Sequence, residues 1–243
     1  MLEVIASSVE DAIAAEQGGA DRLELVRDLE LGGLTPPLEL VRAVRAAVRI
    51  PVRVMLREEG DFFAPMGAEN EKKVERLCTL ARSLSELSVD GLVLGFLTGP
   101  PDDPRINHPL LAQVLASAPG TKATFHRAFE LLRDSTRAAQ ELKQHPQIDR
   151  ILTSGRYEDV SVPWPHRLTG LAELAHAAVP EITVLVGGGV EREVIESLCQ
   201  RNTKLEFHVG RAVREPCSNT GAVRSALVRE LAVLVRELES GKA

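Results

Sequence analysis

Seven ionisable residues occupy alternate positions in five short apolar runs: Glu3, Glu24, Arg53, Arg57, His126, Glu206 and His208. The runs are Leu2–Ala6, Arg22–Val26, Val52–Arg57, Ala123–Arg127 and Leu205–Val209. Successive side chains of a strand point to opposite faces. One face therefore carries hydrocarbon, such as Leu2, Val4 and Ala6 or Leu205, Phe207 and Val209, and the other carries the ionisable set. If the apolar faces lie against helices, the acids, arginines and histidines converge on one interior. Two chemistries suit such an interior. Histidine and glutamate are ligands for Zn, Mn, Fe or Cu(II), so His126, His208 and a glutamate point to a divalent metal or copper, although no H-x-H or H-E-x-x-H spacing accompanies them. The same groups also suit proton transfer on a small polar substrate, with Glu3, Glu24 or Glu206 as base, a histidine as acid and Arg57 holding an anion. The packing alternative is an ion network in which Arg53 and Arg57 neutralise the acids. That network accounts for the charges and leaves the histidines unexplained.

A second candidate set is glycine-rich. Ser154 and Gly155 follow one apolar run, Gly188 and Gly189 follow the next, and Arg211 lies just past Leu205–Val209. Glycines let backbone N–H groups approach an anion, and late loops of parallel barrels often hold phosphate. His108, His145, His166 and His176 fall in loops or helices and read as surface residues.

The elements that must position these residues alternate between strand-like and helical periods. Eight runs can be counted, the further three being Gly91–Leu97, Arg150–Ser154 and Ile182–Val186. Ser8 with Asp11 starts a helix that Gly18-Gly19 ends, and Thr35-Pro36 starts another, with Thr35 as its cap. Further helices fit Glu69–Leu87, Pro109–Ser117, Ser135–Lys143, Pro165–Ala178, Glu191–Arg201 and Ala222–Leu238. Strands alternating with helices give a parallel sheet, and eight such units give an α/β protein with a closed (β/α)8 TIM barrel. The expectation is a single barrel domain over 1–243, with its site at the C-terminal ends of the strands.

Composition narrows the partners. A net charge of −6 and an aromatic content of 3% argue against a nucleic-acid binder. Cys78, Cys199 and Cys217 are far apart and odd in number, which fits reduced thiols and a cytoplasmic protein. No run reaches membrane-spanning length, so no membrane partner is expected. The expected partner is a small molecule or a metal.

The segments G-G-A-D-R-L-E-L (18–25), G-G-L-T-P (32–36), T-F-H-R-A-F (124–129), R-I-L-T-S-G (150–155), G-G-G-V (187–190) and E-F-H (206–208) resemble the CutC family of copper homeostasis proteins. The resemblance runs from Leu2 to about Ala212. It implies a (β/α)8 barrel, a cytoplasmic homo-oligomer, most simply a dimer, and a role in copper handling. Many members carry cysteines in the first and second strands, where this chain has Ile5 and Val26. Aliphatic side chains coordinate nothing, so the resemblance does not extend to thiolate binding of Cu(I). In M-L-R-E-E-G-D-F (55–62), Arg57 is retained, whereas a second arginine common in the family is absent.

Overall fold

The computed structural model describes residues 1–63, 69–155, 162–200 and 205–241. Eight parallel strands close into a barrel in chain order. They are β1 (Leu2–Ala6), β2 (Arg22–Leu25), β3 (Val52–Met55), β4 (Gly91–Leu94), β5 (Lys122–Phe125), β6 (Ile148–Thr153), β7 (Thr183–Val186) and β8 (Leu205–Val209). Outside them lie α1 (Val9–Gly18), α2 (Leu38–Ala47), α3 (Glu69–Glu86), α4 (His108–Ala116), α5 (Ser135–Leu142), α6 (Trp164–Ala178), α7 (Arg192–Cys199) and α8 (Ser225–Glu239). The expected helix end at Arg201 lies outside the described residues.

Strand parity divides the hydrocarbon into two bodies. Leu2, Val4, Leu23, Leu25, Val52, Val54, Phe125, Phe207 and Val209 join the large core between sheet and helices. Inside the barrel, Val26, Met55 and Val93 form a separate small cluster, with Ile5 and Leu29 packed on it. The two clusters do not merge because the sheet runs between them.

Several boundaries differ from expectation, each for a local reason. The fourth run stops at Leu94; Leu97–Thr98 leaves the barrel to pair antiparallel with Arg105–Ile106. The fifth run stops at Phe125 and the chain turns into a 3-10 helix over Arg127–Leu131. Thr35 does not cap α2, whose N-cap is Pro37. Instead its hydroxyl donates to the Arg57 carbonyl (3.0 Å) and accepts from the Arg57 N–H (2.8 Å), which fixes the chain just past β3. Ala222–Val223 is not helical but pairs with Arg214–Glu215. His108 and His145 are half-buried rather than on the surface, with stacked rings and Nδ1 to Nε2 at 2.9 Å.

Ser8 caps α1 as expected, accepting from the Asp11 N–H at 3.1 Å. Asp11 also accepts from the Ser7 N–H (3.1 Å), the Val223 N–H (3.0 Å) and Arg214 (2.9 Å), so one buried carboxylate ties the start of α1 to the segment entering α8. At the far end of α1, a Cβ on Gly18 would lie 2.4 Å from Val228 Cβ of α8. The bare backbone of α1 meets the Val228 side chain and the Ser225 carbonyl there. Gly18→Ala should lower stability in urea unfolding by about 1–3 kcal/mol, because neither helix can retreat without opening the barrel's seam.

Candidate functional site

The floor of the barrel is ionic. Arg22, the first residue of β2, bonds Glu3 and reaches Glu206 at 2.9 Å. Arg150 holds both oxygens of Glu206 (2.7 and 2.9 Å) and meets Asp149 at 2.6 Å. Asp149 receives both terminal nitrogens of Arg53 at 2.7 Å, and Arg53 also donates to Thr124 Oγ1 at 2.7 Å. The chain of contacts runs Glu3, Arg22, Glu206, Arg150, Asp149, Arg53, Thr124, and it crosses most of the barrel. Buried ions persist only when paired and hydrogen-bonded in this way. Burial alone would raise the carboxyls of Glu3 and Glu206, but Arg22 and His208 beside Glu3, and Arg150 and Arg22 beside Glu206, outweigh it and hold both below their ordinary value.

Above the floor, Glu3 Oε1 meets His208 Nδ1 at 2.7 Å. Glu24 Oε2 lies 3.7 Å from the same nitrogen. Among the described residues these three are the group whose ligand atoms come within 4.8 Å of one another, close enough for one cation. Burial opposes a charge on His208, yet Glu24 and Glu3 together raise its pKa. Glu24 differs from the other acids. Its Oε2 is buried without a hydrogen-bond partner among the described residues, and burial, aided by the charge on Glu3, pushes its pKa up to about 7 against the pull of His208.

A cavity of about 580 Å³ opens over this pair. Glu24, His208, Arg57, His126, Gly188, Gly189 and Arg211 line it, so seven of the residues expected at the site meet in one place. Four do not line it. Glu3 and Glu206 have the expected inward parity but lie deeper, because each step of two residues along a strand is roughly 6.6 Å of depth. The register sets Glu3 opposite His208 rather than beside Glu206, a consequence of the stagger needed to close a barrel. Ser154 is buried, and its N–H and hydroxyl donate to Glu130 Oε1. Gly155 faces outward, where a Cβ would sit 2.8 Å from Leu171 of α6.

Arg57 is held by main-chain carbonyls of Leu31, Gly32, Gly33 and Gly60 and lies over the Phe62 ring at 4.6 Å. Burial lowers its pKa, partly offset by Asp61. His126 Nδ1 accepts from the Ala128 N–H at 3.2 Å, and burial followed by the charge on Arg57 pushes the ring down to about 3. It is a neutral histidine. Sequence reasoning missed Arg22, Asp149, Arg150 and Glu130. Arg22 shares the parity of Glu24 and was within reach of the same argument, whereas Glu130 follows a strand end and carries no periodic signal.

The CutC family model matches residues 1–213. A copper homeostasis protein cutC homolog of Homo sapiens is 33% identical over 208 residues, covering 86% of this chain and 72% of the relative. A family protein CutC of Enterobacter sp. (strain 638) is 34% identical over 222 residues, covering 91% and 80%. The crystal structure of a CutC protein from Streptococcus agalactiae aligns with a TM-score of 0.73 at 24% identity, covering 86% of this chain and 97% of that one, and shares the barrel.

Two outcomes test this site. Arg22→Met should cost about 3–5 kcal/mol in urea unfolding, since it removes the guanidinium shared by two buried carboxylates and leaves Glu3 with His208 alone, whereas Arg105→Met, which breaks an exposed pair with Asp103, should cost far less. Glu24 has its folded value at about 7, above the ordinary 4.5, so its share of stability is complete below pH 4.5 and is lost as pH rises through 7. Glu24→Gln does not titrate; its stability relative to the parent protein should therefore rise by about 1–3 kcal/mol between pH 5 and pH 8. Parallel curves at the two pH values would mean that Glu24 titrates normally.

Proposed function

The chain belongs to the CutC family, and from that premise we propose that it serves copper homeostasis by binding divalent copper in the mouth of the barrel, at Glu24 and His208. The buried, unpartnered Oε2 of Glu24 beside His208 carries this reading, because a cation there would supply the partner the carboxylate lacks. Glu3 would serve as the supporting carboxylate. Its bond to Nδ1 leaves Nε2 as the ligating nitrogen, an arrangement common in histidine metal sites. One oxygen and one nitrogen donor suit Cu(II), which such sites hold more tightly than the neighbouring divalent metals.

The residues do not fit thiolate-bound Cu(I). Cys78 lies in α3, Cys199 in α7 and Cys217 is exposed, and none of them lines the cavity. Positions 5 and 26, where many relatives have cysteine, hold Ile5 and Val26, both packed in the small inner cluster with Met55. The ion would therefore be taken up in its oxidised form, with exchange through the open mouth above it. No helix among the described residues is long and apolar enough to cross a membrane. A cytoplasmic location and self-association as a dimer belong to the same proposal and rest on the family.

Equilibrium dialysis and isothermal titration test the reading directly. Cu(II) should bind at one equivalent, more tightly than Zn(II), and more tightly at pH 8 than at pH 6 because protons compete for the same atoms. Glu24→Gln and His208→Ala should each weaken binding at least tenfold, a range seen when one ligand or its support is removed. Failure to bind copper at a defined ratio, or undiminished binding by both variants, would sink the proposal.

A further inference from the structure

The cavity is larger than one ion requires, and another part of its lining is built for something else. A water molecule occupies roughly 30 Å³, and pockets of about 300–1,000 Å³ commonly take small organic ligands. The space over Glu24 measures about 580 Å³. In its lining Arg57 is 8% exposed and meets no carboxylate within ion-pair distance among the described residues, Asp61 acting on it only from farther off. The contrast with three other buried arginines is sharp. Arg22 holds Glu3 and Glu206, Arg53 holds Asp149, and Arg214 holds Asp11. Arg57 has only carbonyl contacts of 3.3–3.4 Å at Nη1, one carbonyl at Nη2 and a ring beneath it, and its Nε has no hydrogen-bond partner. A cation desolvated to this degree, with Asp61 offsetting its burial only in part and no carboxylate in direct contact, is expensive unless a ligand brings the charge.

His126 borders the same part of the lining. Phe62 joins the two, its ring 5.0 Å from the imidazole and 4.6 Å from the Arg57 guanidinium carbon. Because Nδ1 accepts the Ala128 N–H, the proton of the neutral ring resides on Nε2. The ring therefore offers a donor and no charge. Gly95 makes room for it, since a Cβ there would lie 2.6 Å from Nδ1.

We propose that Arg57 and the Nε2–H of His126 form a recognition site for the carboxylate group of a small organic molecule held in this cavity. One buried positive charge without an ion-pair partner and one neutral donor match a monoanion; Arg211 also lines the cavity, but it is exposed and its charge is screened by solvent. A phosphate dianion would leave a surplus negative charge in the same buried place, since the nearby Arg127 is already engaged by Glu130 at 2.6 Å. The inference goes beyond the copper reading and stands without it.

The test uses the full chain in the presence of a chelator, so that failure of copper binding and failure of this site are read separately. The probes are the monoanions acetate, glycolate and lactate, with inorganic phosphate and glycerol as comparisons. The carboxylates should raise the melting temperature saturably and shift the His126 side-chain nitrogen resonances, while phosphate and glycerol should do neither. Arg57→Lys, which keeps the charge and loses the planar fork, should bind the best carboxylate at least tenfold more weakly, and His126→Phe should weaken it as well. The resonance measurement on the unaltered protein keeps the test valid if a variant fails to fold. Absence of any saturable carboxylate effect, a preference for phosphate, or full affinity in folded Arg57→Lys and His126→Phe would overturn the assignment.

Discussion

The bridge that Arg22 makes between Glu3 and Glu206 is the constraint on which the rest of this barrel depends. A barrel interior is a low-dielectric space, and this one contains several ionised groups where most barrels of its kind stack branched hydrocarbon. Arg22 reaches both carboxylates from the bottom of β2, and Arg150 closes on Glu206 from the other side of the barrel. With the charges matched in this way the network substitutes for a hydrocarbon layer. It also ties β1, β2, β3, β5, β6 and β8 across the interior by contacts that tolerate little displacement.

The floor in turn sets the character of the site above it. Glu3 uses one oxygen on Arg22 and the other on His208, so the network ends on an imidazole facing the cavity. Glu24 sits beside that imidazole without an arginine of its own. Two carboxylates on similar strand positions thus have opposite pKa shifts: Glu3 is held low by the cation at its side, and Glu24 is raised by burial and by Glu3 itself. The small apolar cluster of Val26, Met55 and Val93, with Ile5 and Leu29, adds hydrocarbon to the interior on the side of the strands where family cysteines are expected. That exchange of sulfur for hydrocarbon leaves oxygen and nitrogen as the donors in the mouth, which is why the metal chemistry argued for this chain differs from thiolate chemistry.

The mouth holds two groups of opposite need. Among the described residues Glu24 Oε2 has no hydrogen-bond partner and Arg57 forms no ion pair, although both line the same cavity. Thr35 fixes the position of Arg57. Its hydroxyl clamps the backbone of Arg57 on both sides, so that the guanidinium is fixed among loop carbonyls rather than free to swing toward an acid.

Alternation along the chain determined which face of each strand turns inward, because side-chain parity is a property of the extended backbone and needs no knowledge of neighbours. All seven ionisable residues singled out by it do face the interior, and the order of eight apolar runs determined the barrel. Depth within the barrel was decided only by tertiary structure. The pairing of Glu3 with His208 spans 205 residues of chain and depends on the stagger at which β8 closes on β1, a quantity that no single strand contains. The same stagger lowered Glu206 beneath the cavity and brought Arg150 against it. Loop packing decided the remainder: Ser154 turned to Glu130 and Thr35 to Arg57, because hydroxyls at strand ends take whichever buried partner the folded chain presents.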